Sequence, residues 1–204
     1  MLNYNKLRTL TPHFGRTASL YTYKEFEGLI NLRPFMLDKR FRPANNYRRF
    51  EWPVYDWHTD INVWPVSAIK EVLKYSAIYV NDASRANQKI NGFSEGLERV
   101  FKKPVDCHIY FSNNSNKSKS FGKHKDENHN VIVVCEGKIN FKIYNGNKIM
   151  NKDLSKGDYA FVPAGVNHKV ESLTKKRLSC SFPILLEKQY SINCVFDERE
   201  WLSI

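Results

Sequence analysis

The chain of 204 residues is long enough to bury one sizeable core, and its 42% hydrophobic and 14% aromatic content excludes a disordered polymer. A formal net charge of +11 makes an anionic partner the expectation, whether a nucleic acid, a ribosome-associated protein or a small anionic cosubstrate. Four cysteines at 107, 135, 180 and 194 form no C-x-x-C pair, no apolar run approaches a membrane span and the N-terminus lacks a signal-peptide core, so reduced thiols, no membrane partner and a cytoplasmic (intracellular) location are expected.

Residues 1–22 show no clear period and read as an arm. Tyr23 to Leu32 sets Phe26, Leu29 and Ile30 at helical spacing, and Arg33-Pro34 stops that helix. From 38 to 50, Lys39, Arg40, Arg42, Arg48 and Arg49 are interleaved with Phe41, Tyr47 and Phe50. That mixture suits phosphates and stacked bases, and equally a solvated basic face whose aromatics pack inward. Trp52 to Asp60 is irregular and aromatic-rich, fit to line a substrate cleft or to plug one end of a barrel. Within it His58-Thr59-Asp60 runs on to Trp64-Pro65 rather than to an apolar strand and a glycine, so loop hydrogen bonding accounts for it. Ser67 caps a helix to about Tyr75, Ala77 to Val80 reads as a short strand, and Asn91-Gly92 leads into an amphipathic helix ending near Phe101–Pro104. Residues 1–104 are thus expected to be a mixed helical and irregular extension that packs on a barrel spanning 105–204.

The barrel opens with Val105 to Phe111, alternating and β-branched or aromatic at its centre. Residues 113–120 are polar throughout, a lid or a plain connector. Val131–Cys135 is a continuous apolar run, as in a strand buried on both faces, and Glu136-Gly137 turns it into Lys138–Tyr144. Asn145-Gly146 signals a tight hairpin. Asp158–Val162, His168–Glu171 and Arg177–Phe182 complete a set of short strands, followed by a C-terminal helix at Asp197–Leu202. The fold class is mainly β.

Chemistry concentrates between Gly122 and Ser181. His124 and Asp126 stand two residues apart, so on a strand they point the same way, and His168 follows Pro163-Ala164-Gly165 from a later strand. Two imidazoles and one carboxylate are the set that leaves open positions on non-haem Fe(II). By the same alternation Arg177, Ser179 and Ser181 share one face of their strand.

These blocks resemble the cupin family. Gly157, Pro163, Gly165 and His168 fit its second motif, while the first is matched by His124, with Asp126 for its second histidine, Asn130 for its glutamate, and Gly137 closing it. A carboxylate in that place is similar to the 2-oxoglutarate oxygenases, including the JmjC-like hydroxylases, and Arg177-Leu178-Ser179 resembles the R-x-S that anchors the far carboxylate of 2-oxoglutarate in many of them. JmjC-like hydroxylases usually carry an anchoring lysine where this chain has Ile139; Lys138 and Lys142 fall on the opposite face, which leaves Arg177 as the anchor.

The resemblance implies a double-stranded β-helix (cupin or jelly-roll barrel) holding Fe(II) by His124, Asp126 and His168, with 2-oxoglutarate and dioxygen as cosubstrates. Decarboxylation to succinate would be coupled to hydroxylation of a C–H bond. Ser179 would support the anchor, Asn130 and Tyr110 are further candidates for cosubstrate contact, and His13, His108 and His129 are structural or exposed. The basic charge and the long extension favour a protein or RNA substrate, and a homodimer is a candidate assembly. Two alternatives stay open: a metal-dependent cupin that works without 2-oxoglutarate, as an isomerase or ring-cleaving dioxygenase, and a non-catalytic ligand-binding cupin.

Overall fold

A computed structural model describes residues 2–31, 41–43, 73–74, 77–80, 83–84, 86–113 and 122–186. Outside them lie most of the basic 38–50 stretch, the aromatic 52–60 run with His58-Thr59-Asp60, nearly all of the Ser67–Tyr75 helix, the polar loop beyond Asn113, Cys194 and the Asp197–Leu202 helix.

The first residues depart from the expected arm. They carry helix α1 (Tyr4–Arg8), capped by the Asn3 side chain accepting from the Lys6 amide, and strand β1 (His13–Arg16). Helix α2 (Tyr23–Asn31) begins where Thr22 Oγ1 accepts from the Glu25 amide and donates to the Glu25 carboxylate. Strands β2 (Phe41–Pro43) and β3 (Ile78–Val80) follow. Helix α3 (Gln88–Phe101) starts three residues before Asn91, because Asn87 caps it through the Ile90 amide. Among the described residues no helix is long and apolar enough to cross a membrane.

The remaining strands are β4 (His108–Ser112), β5 (His129–Glu136), β6 (Lys138–Asn145), β7 (Lys148–Ser155), β8 (Asp158–Val162), β9 (Asn167–Ser172) and β10 (Arg177–Ile184). They form a larger antiparallel sheet in the order β1-β8-β5-β10-β4-β3-β2 and a smaller one in the order β7-β6-β9. The β6–β7 hairpin closes one residue later than Asn145-Gly146 suggests. Asn145 pairs with Lys148, so the loop is Gly146-Asn147, and only Gly146 takes a positive φ, of 59°, which glycine alone adopts without strain.

The larger sheet is covered on both faces, which is why β5 and β10 are buried almost end to end. On one face Val131, Val133, Cys135, Leu178, Cys180 and Phe182 share a core with Leu7, Phe26, Ile90 and Leu97 of the three helices. On the other, Ile132 and Val134 meet Ile139, Phe141 and Ile143 of the smaller sheet. The result is three layers, helices against the larger sheet against the smaller one. Where the inward side chains of β5 and β10 turn polar, the core gives way to a cavity.

Candidate metal centre and anion cavity

The two histidine blocks are locked by their backbones. His124 and His168 exchange both amide bonds, His124 N–H to His168 O at 3.0 Å and His168 N–H to His124 O at 2.8 Å, as an isolated antiparallel bridge. Residues opposed in this way send their side chains to one side, and the ring centroids are 4.3 Å apart. Asp126 lies beyond the bridge and outside any regular strand, so the alternation expected for His124 and Asp126 is not what aims it. Its carbonyl instead accepts from the Gly165 amide at 2.8 Å, and Gly165 holds a φ of 76° to present that amide.

Each imidazole is oriented by its own chain. His124 Nδ1 lies 2.9 Å from Gly122 O and His168 Nδ1 lies 3.3 Å from Val166 O. A carbonyl only accepts, so both Nδ1 atoms carry the proton and both Nε2 atoms offer a lone pair to the centre. Burial holds His168 below the usual imidazole range, with the Asp126 charge opposing, so the ring is neutral as a ligand must be. His168 also stacks parallel to Phe141 at 5.8 Å.

The three ligand atoms fit one cation. His124 Nε2 is 3.6 Å from Asp126 Oδ1 and His168 Nε2 is 3.7 Å from Asp126 Oδ2, and all the candidate ligand atoms lie within 4.8 Å of one another. Atoms bound about 2.1 Å from a shared ion are at most about 4.2 Å apart, so both short separations admit an ion with little adjustment.

A cavity of about 280 Å³ opens beside this triad, at the small end of the range for ligand sites. Ile132 and Val170 supply apolar wall, and every residue singled out in the sequence lines it: His124, Asp126, His168, Arg177, Ser179, Asn130 and Tyr110. Ser181 joins them, as the alternation along β10 requires. Asn130 donates to Asp126 Oδ2 at 3.2 Å and accepts from Ser181 Oγ at 2.7 Å.

Arg177 is the anomaly of this cavity. It is 2% exposed, its Nε has no hydrogen-bond partner, and no carboxylate among the described residues pairs with it. Burial pushes its guanidinium down to about 10, and its nearest charge-compensating neighbour is the Tyr110 ring, 5.8 Å from Cζ. Burial, seconded by Tyr79 and Asp126, raises the Tyr110 hydroxyl well above its usual range, so it stays a donor. The other histidines are occupied elsewhere. His129 Nδ1 accepts from the Ala164 amide at 2.9 Å, His108 pairs with Asp106 at 3.0 Å, and His13 is buried against Thr11 O and Tyr159.

Comparison with known proteins agrees with this architecture. Residues 115–184 match the family model described as Cupin domain, which takes in the triad, Asn130 and β10. No curated protein matches the chain in sequence. Among solved structures, YcfD, a ribosomal oxygenase from Escherichia coli, is similar over 95% of this chain and 54% of its own, at 15% identity and a TM-score of 0.59. The same protein in complex with cobalt and succinic acid gives the same figures. A mutant oxalate decarboxylase from Bacillus subtilis is more distant, with 13% identity, a TM-score of 0.39 and coverage of 53% of this chain and 26% of that one. The chain spans about half the length of the oxygenase it resembles. The fold is the double-stranded β-helix of the cupins, mainly β and built of antiparallel sheets.

Proposed function

We propose that the protein is an Fe(II)- and 2-oxoglutarate-dependent oxygenase that hydroxylates a protein or RNA substrate. The observation that carries this reading is the buried, unpaired Arg177 in the same cavity as the His124, Asp126 and His168 triad. An uncompensated buried cation costs several kcal/mol, and a ligand carboxylate in the cavity would offset that penalty. Arg177 and Ser181 are four residues apart on β10, about 13 Å along the strand, and Ser181 leads through Asn130 to Asp126. A short dicarboxylate held at the triad by one end would meet the guanidinium with the other.

Iron bound by the triad would supply dioxygen activation, with the overall balance R–H plus 2-oxoglutarate plus O2 giving R–OH, succinate and CO2. His124 and His168 would each give a lone pair from Nε2, and Asp126 would neutralise one positive charge. Arg177 would pair with the distal carboxylate, and Tyr110 and Ser179 would donate hydrogen bonds beside it. The likeness to an oxygenase solved with cobalt and succinic acid supports the reading, since succinate is the product of 2-oxoglutarate in such a reaction. The net charge of +11 favours an anionic or ribosome-associated macromolecule as substrate.

Succinate formation by the purified chain with Fe(II), 2-oxoglutarate and air tests the proposal. Wild-type protein should release succinate, and Arg177→Ala should raise the KM for 2-oxoglutarate about a hundredfold, as expected for losing one partner of a buried charge pair. Turnover by Arg177→Ala that matches the wild type would point instead to a metal cupin working without this cosubstrate.

A further inference from the structure

The Asp126 carboxylate presents its two oxygens unequally. Oδ2 accepts from the Asn130 amide nitrogen, while Oδ1 receives no hydrogen bond from any described residue. The amide cannot turn over without setting its own oxygen against a carboxylate oxygen inside a cavity wall. Ser181 reinforces that orientation from the opposite side by donating to Asn130 Oδ1. Both supports are buried, Asn130 at 8% exposure and Ser181 at 3%. Asn130 also stands where the first cupin motif has a glutamate, yet its carbonyl oxygen is turned away from the triad and its nitrogen toward it.

We infer that Asn130 is a positioning residue that withdraws Oδ2 from the metal and commits Asp126 to coordination through Oδ1 alone, with Ser181 holding the amide in place. The inference rests on reading the triad as a metal site. Its consequence is a coordination number. Three protein donor atoms leave three positions on an octahedral ion, whereas a carboxylate bound through both oxygens would fill a fourth. A chelating keto acid and dioxygen together need three, so the amide preserves the opening that the proposed chemistry requires. It also keeps a neutral side chain, rather than a second carboxylate, beside Asp126.

Titration of the full chain with Co(II), followed by calorimetry and by the visible absorption spectrum of the bound ion, tests this without any turnover. Asn130→Ala should bind Co(II) about 10- to 100-fold more weakly, the usual effect of removing an outer partner of a ligand, and its spectrum should change as the second oxygen enters. Ser181→Ala should shift both readouts the same way by less, and Ser181→Thr, which keeps the hydroxyl, should restore the wild-type spectrum. Circular dichroism checks folding; if Asn130→Ala does not fold, the two Ser181 variants carry the comparison. Alanine variants that keep the wild-type spectrum and bind within about threefold of wild-type affinity would overturn the inference. Failure of folded wild-type protein to bind Co(II) at all would overturn the metal reading itself, and the inference with it.

Discussion

A guanidinium at 2% exposure with an unsatisfied Nε is a local instability that the fold retains. If it is retained for a ligand, removing it should stabilise the empty protein while abolishing the binding. Arg177→Met keeps length and apolar volume but no charge, and should raise the thermal midpoint of the metal-free protein by a few degrees, about 2–4 °C for each kcal/mol recovered. Succinate or 2-oxoglutarate with Co(II) should then raise the midpoint of the wild type and not of the variant. A lower midpoint for the empty variant would mean that Arg177 is paired structurally. Arg177, Ser179 and Ser181 were legible in the sequence because a strand repeats every two residues, and that period survives wherever both faces are buried. The part played by Asn130 was not legible. Its neighbours Asp126 and Ser181 come from a turn and from a strand 51 residues away, a contact that only the sheet register creates.

The bridge between the His124 and His168 segments depends on the turn through Pro163, Ala164 and Gly165, and this turn has two supports that can be tested separately. Gly165→Ala forces a side chain into a φ of 76° with no steric contact to confound it, and should cost about 1–2 kcal/mol in stability and weaken Co(II) binding by loosening Asp126. His129 accepts the Ala164 amide only while neutral, and burial lowers its affinity for protons below the usual 6.5, as it does for His13. The unfolded chain therefore binds protons first as pH falls. Stability should be level above about pH 6.5 and decline from there through the lowered folded values, which thermal midpoints measured from pH 7.5 to 5 would register. A midpoint that stays flat across that window would contradict the neutral state of both rings. On the helical side of β5 and β10, Cys135 Sγ lies 3.5 Å from Cys180 Sγ with Cys107 buried nearby, and burial pushes the Cys107 thiol up. Alkylation mapped by mass spectrometry should leave these three cysteines unmodified in the native protein and label them after denaturation. At this scale the sequence misled most over β1, which pairs with β8 through only four residues. A segment so short, held by backbone bonds to an edge, carries no period to read.

Taken whole, the molecule is a small cavity clamped between two sheets, with helices from the N-terminal part sealing the back of the larger one. The strand pattern of 105–184 was readable because hairpin turns and alternating burial agree with each other there. The contribution of β1, β2 and β3 to the larger sheet was not, since those pairings join segments far apart in the chain. Every element of the functional account meets at one point: a divalent ion on His124, Asp126 and His168, chelated by an acid whose other end reaches Arg177. Anaerobic addition of Fe(II) and 2-oxoglutarate to the purified metal-free chain addresses that point directly. The account predicts a visible charge-transfer band that appears only with both components, is absent in Arg177→Ala at the same concentrations, and gives way to succinate when air is admitted. Folded protein that binds Fe(II) yet shows neither the band nor succinate would contradict it.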